Sequence, residues 1–255
     1  MFVKTVSLSF FDRAMLSFRR FVTWLCFPLT LVIVYTLLFV IMQYRRRNVK
    51  EVRQKFARLM NEHGAHPILL CQNHLTCFDS VLMCSFLLNP WKFLLHYHHL
   101  PWQVFERRFV AFFPLRLLFS LMKNITLERM GDRQELLRIE EKLKYLLKGG
   151  DLVLIFPEGT RSRSGRVNTK EFQYGIGKIL RDLPDCQVLC IYLRGENQGS
   201  KSTTPPYGCF VDIEMEMFKP TTSLTGLRAA RDLSGQVIEK LDSMEKAYFA
   251  ARGAL

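Results

Sequence analysis

The chain has 255 residues, room for one globular domain with a short appendage and for a core that holds without disulfides. Its 36 Lys and Arg against 23 Asp and Glu leave a formal net charge of +13, which points to anionic partners: phosphate head groups, nucleic acid or an anionic membrane face. Seven cysteines, an odd number without a Cys-x-x-C pair, argue against a disulfide framework or zinc ribbon and fit reduced thiols in a cytosol-facing domain.

The first stretch, Met1 to Arg20, is basic and Phe-rich and reads either as an interfacial helix or as a disordered tail. Phe21 to Met42 is a run of 22 residues without charge. As a helix it would reach about 33 Å, enough for a bilayer core. Pro28 inside it predicts a kink or a split. Arg19 and Arg20 precede the run and Arg45 to Arg47 follow it, so the charge bias leaves open a single span, a hairpin or a helix buried in one leaflet. Residues 1–47 are therefore expected to anchor the chain to a membrane, and residues 48–255 to form the domain proper.

That domain opens with a basic amphipathic helix over Asn48 to Glu62, and Pro67 to Gln72 suits a buried strand. The apolar stretch from Asp79 to Leu88 suits a helix that Asn89-Pro90 stops. Trp91 to Tyr97 is expected to be a strand running into His96, His98 and His99. On a strand only two of these histidines share a face, and no acid or cysteine lies close by, so no metal site is expected. Pro101 to Met122 is expected to be a helix, either in the core or partly immersed in lipid. Ile125 to Arg129 reads as a strand ending in a cation. Asp132 and Glu135 have capping-box spacing ahead of a helix that Gly149-Gly150 ends. Leu152 to Phe156 is a continuous apolar run, as for a strand covered on both faces. Phe210 to Phe218 alternates as a strand with Asp212, Glu214 and Glu216 on its exposed face, and a closing helix runs from about Leu224 to Tyr248. Strands alternating with helices give an α/β fold, a mixed sheet covered by helices with a membrane-anchoring helical segment at the N-terminus.

Chemistry concentrates in two places. In Asn73-His74-Leu75-Thr76-Cys77-Phe78-Asp79, a histidine is followed by an aspartate five positions on. Histidine can take a hydroxyl proton near neutral pH, and aspartate can hold the other ring nitrogen and stabilise the imidazolium. On one regular helix the two side chains would lie about 140° apart. The pair therefore requires His74 on a loop and Asp79 in the first turn of the following helix. The second place is Phe156-Pro157-Glu158-Gly159-Thr160-Arg161-Ser162, delivered to the C-terminal end of a buried strand, where ligands gather in open α/β sheets. Gly159 permits close backbone approach, and Arg161 can grip phosphate oxygens in bidentate fashion.

The two stretches, in this order and spacing, resemble the lysophosphatidate acyltransferase family of membrane glycerolipid acyltransferases over roughly residues 65 to 220. The resemblance implies His74 and Asp79 as catalytic residues, and Asn73, Arg129, Glu158, Gly159, Thr160 and Arg161 as substrate-binding. Arg129 matches the arginine of a family segment that helps bind the acceptor's phosphate. Lys123 stands there in place of a glycine, Thr126 in place of an aromatic, and Leu193 in place of a later proline. The resemblance further implies a helix from near Phe172 and Gly175 to Leu183, then a strand over Val188 to Leu193, and an acyl-chain groove as a possible use of the 101–122 segment. The implied reaction takes a fatty acyl group from acyl-coenzyme A or acyl carrier protein to the hydroxyl of a lysophospholipid, with lysophosphatidate foremost. It needs no resident cofactor. Acceptors without phosphate, such as lyso-ornithine lipid, and a catalytically silent lipid-binding protein are the alternatives. A nucleic-acid partner would explain the charge but not the 22-residue apolar run, and none is expected.

Overall fold

The computed structural model describes residues 8–87, 89–106, 122–128, 132–199 and 202–253. It begins with a long helix, α1 (Phe10–Tyr35), which continues as a π-helical segment over Thr36–Ile41. Ser9 caps its start by accepting from the Asp12 N–H at 3.0 Å, so the helix begins well before the charge-free run. Pro28 lies inside α1 without splitting it.

Seven strands form one sheet: β1 (Arg45–Arg46), β2 (Ile68–Gln72), β3 (Trp102–Glu106), β4 (Asn124–Leu127), β5 (Val153–Ile155), β6 (Gln187–Gly195) and β7 (Phe210–Phe218). Their spatial order is β1-β7-β6-β2-β5-β3-β4, and every neighbouring pair is parallel except β6 with β7. Among the described residues the other α-helices are α2 (Val49–His63), α3 (Asp79–Leu87), α4 (Pro90–Leu95), α5 (Arg133–Lys148), α6 (Gly175–Asp182) and α7 (Gly226–Ala250).

The central strands carry apolar side chains on both faces, as parallel strands covered on both sides must. On β2, Ile68 and Leu70 enter one core while Leu69 and Cys71 enter the other; on β6, Leu189 and Ile191 alternate in the same way with Val188 and Cys190. The first core takes in α2, α3, the Phe27–Val34 part of α1 and Leu38 of its π-helical continuation, and the second takes in α5, α6 and α7. The helix α2 buries Val52, Phe56 and Met60, a single face at four-residue spacing. The wholly buried α3 has no exposed face, because it packs on α2 within the first core with every residue covered.

Several expectations are corrected. Residues 90–95 form a helix, not a strand, because Asn89 caps them through a 3.1 Å bond from the Trp91 N–H and Pro90 sits at the first helical position. Trp102 to Glu106 is a strand, not the start of a helix: its Trp102 N–H reaches the Leu152 carbonyl at 2.8 Å, and pairing with β5 and β4 outweighs the helical spacing of its aromatics. Residues 107–121 of that predicted helix, and Arg129, lie outside the described residues. Asp132 precedes α5 without making a side-chain cap. Asp212 is buried at 8% exposure instead of facing solvent, since Arg47, Arg252 and Tyr248 converge on its carboxylate.

Candidate active site

The strands β2 and β5 are neighbours and run in parallel, so the loops that leave their C-terminal ends emerge side by side. One carries His74 and the other Glu158 to Ser162. Asp79 opens α3, as the loop-then-helix requirement demands. His74 Nδ1 lies 3.0 Å from Asp79 Oδ2. The same carboxylate accepts from the backbone N–H groups of Leu75 at 2.6 Å and Thr76 at 2.7 Å, and from Thr76 Oγ1 at 2.5 Å. Asp79 is only 1% exposed, so these donors replace water around a buried charge. The carboxylate thereby holds Nδ1 as the N–H nitrogen, which leaves Nε2 as the one with a free lone pair. Phe156 stacks on the imidazole with ring centroids 4.0 Å apart and fixes its plane.

The second loop clamps His74 through its backbone. Glu158 Oε1 accepts the His74 N–H at 3.0 Å, and the Ser162 N–H donates to the His74 carbonyl at 2.8 Å. The two sequence stretches thus meet at one residue. Glu158 Oε2 accepts from the Asn168 N–H at 3.3 Å. Burial pushes the Glu158 carboxyl up to about 7, against the opposing pull of those two backbone donors.

The chain matches the Acyltransferase family model over residues 43–194, a span that holds both loops. It belongs to the acyltransferase family. Among solved structures it is similar to that of the 1-acyl-sn-glycerophosphate (LPA) acyltransferase PlsC from Thermotoga maritima, with 18% identity and a TM-score of 0.49 over 92% of this chain and 98% of that one. No curated protein sequence matches the chain significantly.

Within this acyltransferase domain the remaining site residues divide by what they touch. Gly159 has φ of +66°, and a Cβ there would lie 2.4 Å from Gln173 Cγ. Thr160 is exposed, and half-buried Arg161 makes no hydrogen bond or ion pair with another described residue, so its guanidinium is free to meet an anion. Asn73 behaves differently. It is 1% exposed, its Nδ2 donates to the Leu193 carbonyl at 3.0 Å and its Oδ1 accepts the Leu193 N–H at 2.8 Å. Its amide extends the β2–β6 pairing past the strand end and braces the base of the His74 loop. Lys123 is also internal: its ammonium donates to the carbonyls of Tyr97 at 2.8 Å and Leu100 at 3.1 Å and pairs with Asp151 at 3.3 Å. Burial pulls it down to about 8, with Asp151 opposing.

Sequence reasoning missed the support behind the second loop. Arg194, 7% exposed, donates to the Gly165 carbonyl at 2.6 Å and to the Gln198 carbonyl, and Glu245 accepts from the Val167 N–H at 3.1 Å and from the Tyr192 hydroxyl at 3.0 Å. The only signal in the sequence was a lone arginine closing an apolar run, which by itself says nothing about a loop almost thirty residues away.

Proposed function

We propose that the protein is an O-acyltransferase that moves a fatty acyl group from an acyl thioester, carried on coenzyme A or acyl carrier protein, to the free hydroxyl of a lysophospholipid, with lysophosphatidate as its acceptor. The observation that carries this reading is the oriented imidazole: Nδ1 is held by a buried carboxylate, and the backbone on both sides of the ring is fixed by the loop that presents Arg161. Arg161 supplies the charge for the acceptor's phosphate, and Gly159 lets the backbone approach it closely.

In the reaction, His74 Nε2 takes the acceptor hydroxyl proton while Asp79 stabilises the imidazolium. The oxygen attacks the thioester carbonyl, a C–O bond forms, and a tetrahedral oxyanion results. Its collapse breaks the C–S bond, and the leaving thiolate recovers the proton from Nε2. General-base action is worth about 10²–10⁴-fold, so positioning of the two substrates and oxyanion stabilisation supply the rest.

Membrane attachment through residues 1–47 is part of the same reading. One face of α1 is docked on the domain: Asp12 pairs with Lys142 at 2.8 Å, Arg19 reaches the Asn124 carbonyl at 2.9 Å, Arg20 pairs with Asp151, and Phe27 sits between Phe93 and Tyr97. The opposite face exposes Phe11, Phe18, Leu25, Leu29 and Val32, joined by Trp91 and Leu95 of α4. A helix so tied along its length lies in the plane of one leaflet, with the catalytic domain on the cytoplasmic side.

The test is acyl transfer by detergent-solubilised protein, with labelled donors of both kinds against a panel of lysolipids. Transfer to lysophosphatidate is expected, with loss of at least 10²-fold in kcat for His74→Ala and for Asp79→Asn at unchanged melting behaviour. A rise in KM for lysophosphatidate is expected for Arg161→Ala. Transfer only to phosphate-free lysolipids would reassign the acceptor, and full activity in His74→Ala would end the reading.

A further inference from the structure

The turn between α4 and β3 gathers three histidines within four residues. His96 ends α4 with φ of −113° and ψ of 54°, and Tyr97–His99 forms a 3₁₀ turn closed by the His99 N–H on the His96 carbonyl at 2.9 Å. This geometry stacks the rings of His96 and His99 at 5.6 Å between centroids, with planes 19° apart, and sets the His98 ring 4.2 Å from that of His99. One ring nitrogen from each of the three lies within 4.8 Å of the other two. His99 Nδ1 is buried and has no hydrogen-bond partner.

The turn is held from beneath. Lys123 donates to the Tyr97 and Leu100 carbonyls on either side of it, its charge matched by Asp151, and the Leu152 N–H approaches the His98 carbonyl at 3.5 Å. Phe56 meets the His99 ring edge-on at 5.9 Å. His96 and His98 are exposed, so their rings can rotate without disturbing the core. Two nitrogens bound to one tetrahedral zinc ion, each about 2.0–2.1 Å from it, lie about 3.3 Å apart. Rotation of the two exposed rings closes the remaining gap.

We propose that His96, His98 and His99 form a three-imidazole site for one borderline divalent transition-metal ion such as Zn²⁺, completed by water. Three neutral imidazoles suit that class of ion, and the absence of carboxylate ligands disfavours Mg²⁺ and Ca²⁺. The turn precedes β3 and contacts the residue that precedes β5, so the site lies at the N-terminal end of the parallel strands. His74 and Glu158 follow the C-terminal ends. The metal is therefore remote from acyl transfer, and the proposal does not depend on that activity.

The experiment is calorimetric titration of tag-free, full-length protein in detergent with ZnCl₂, repeated with Co²⁺ to record its visible ligand-field bands. One equivalent is expected to bind with micromolar affinity, weakened at least tenfold in His96→Ala and in His98→Ala. His63→Ala, His74→Ala and Cys77→Ser are expected to bind as the parent does. The proposal is overturned if no saturable uptake occurs, if uptake survives loss of His96 or His98, or if it follows His74 or Cys77. Unchanged melting of the His96 and His98 variants separates lost ligation from lost folding.

Discussion

Glu158 serves the site through the backbone that it holds. Its carboxylate is used up by the backbone N–H groups of His74 and Asn168, and it is only 4% exposed. That burial has a consequence for stability. Below pH 4.5, the ordinary value, the carboxyl is protonated in the folded and unfolded chain alike; between there and about 7 only the unfolded chain has released its proton. The folded state binds more protons across that window, so stability falls as pH rises through it and levels off above. Glu158→Gln removes the titration and keeps an acceptor for the His74 N–H. Denaturation midpoints of parent and variant, followed in detergent from pH 4.5 to 8, are expected to converge toward low pH and to separate as pH rises, with the variant the less pH-sensitive. Parallel curves would show that Glu158 is not a buried, raised carboxyl. The His74–Asp79 pair was legible because both partners lie within one short segment whose spacing dictates loop then helix. The tether was not, because Glu158 and His74 are 84 residues apart and one partner is a backbone amide, which no sequence pattern marks. Asn73 shows the same limit: the resemblance implied a substrate role for it, and the strand pairing that takes up its amide forms only in the folded sheet.

Among the elements, the tightest constraint is the crossing of α6 and α7. A Cβ built on Gly177 would lie 1.7 Å from the Ala230 carbonyl oxygen and 2.7 Å from Ser234 Oγ, and the Gly177 N–H donates to that hydroxyl at 2.9 Å. The obstacle is backbone, so it cannot swing aside as a long side chain would. Gly177→Ala must therefore push two helices apart in a core that also holds Ile176, Ile179, Val237 and Ile238. Overpacking of this kind costs about 1–3 kcal/mol, and the rigidity of the partner places this case at or beyond the upper end. A loss of unfolding free energy of that size in urea titration, or failure to fold, is the expected result; a variant as stable as the parent would mean that the helices cross at a greater distance. Element identity was readable from sequence wherever period and punctuation agreed, as in α2, α5, β7 and α7. It failed between residues 90 and 106, where large aromatics occur at spacings that suit either period. There Asn89 and Pro90 decide for a helix and pairing with β5 decides for a strand, and only the first of those is local. The same misreading separated the three histidines onto two faces of a strand that does not form.

At the scale of the whole molecule the proposed membrane attachment turns on the 32 residues of Phe10–Ile41. The apolar run was plain in the sequence, but its docking was not, because the residues that hold it (Lys142, Asn124, Asp151, Tyr97) are scattered far along the chain. As a helix the segment is about 48 Å long, more than the roughly 30 Å hydrocarbon core requires, so length alone would allow a crossing. The two arrangements place Val32, at the centre of the charge-free run Phe21 to Met42, at very different depths. In a crossing helix it lies near the bilayer midplane, about 15 Å below the head-group boundary. In an in-plane helix it lies about 5–10 Å deep. Val32 is exposed and Trp102 is fully buried in the protein, so Val32→Trp combined with Trp24→Phe and Trp91→Phe puts the one tryptophan that lipid can reach at that position. In vesicles containing lipids brominated at graded chain positions, the shallow bromines are expected to quench that variant most. Strongest quenching by bromines near the chain ends would place residue 32 at the midplane. The ion pairs from Asp12 and Arg20 to the domain would then have to break, since a helix that crosses at Phe21 to Met42 leaves both residues on the side opposite the domain.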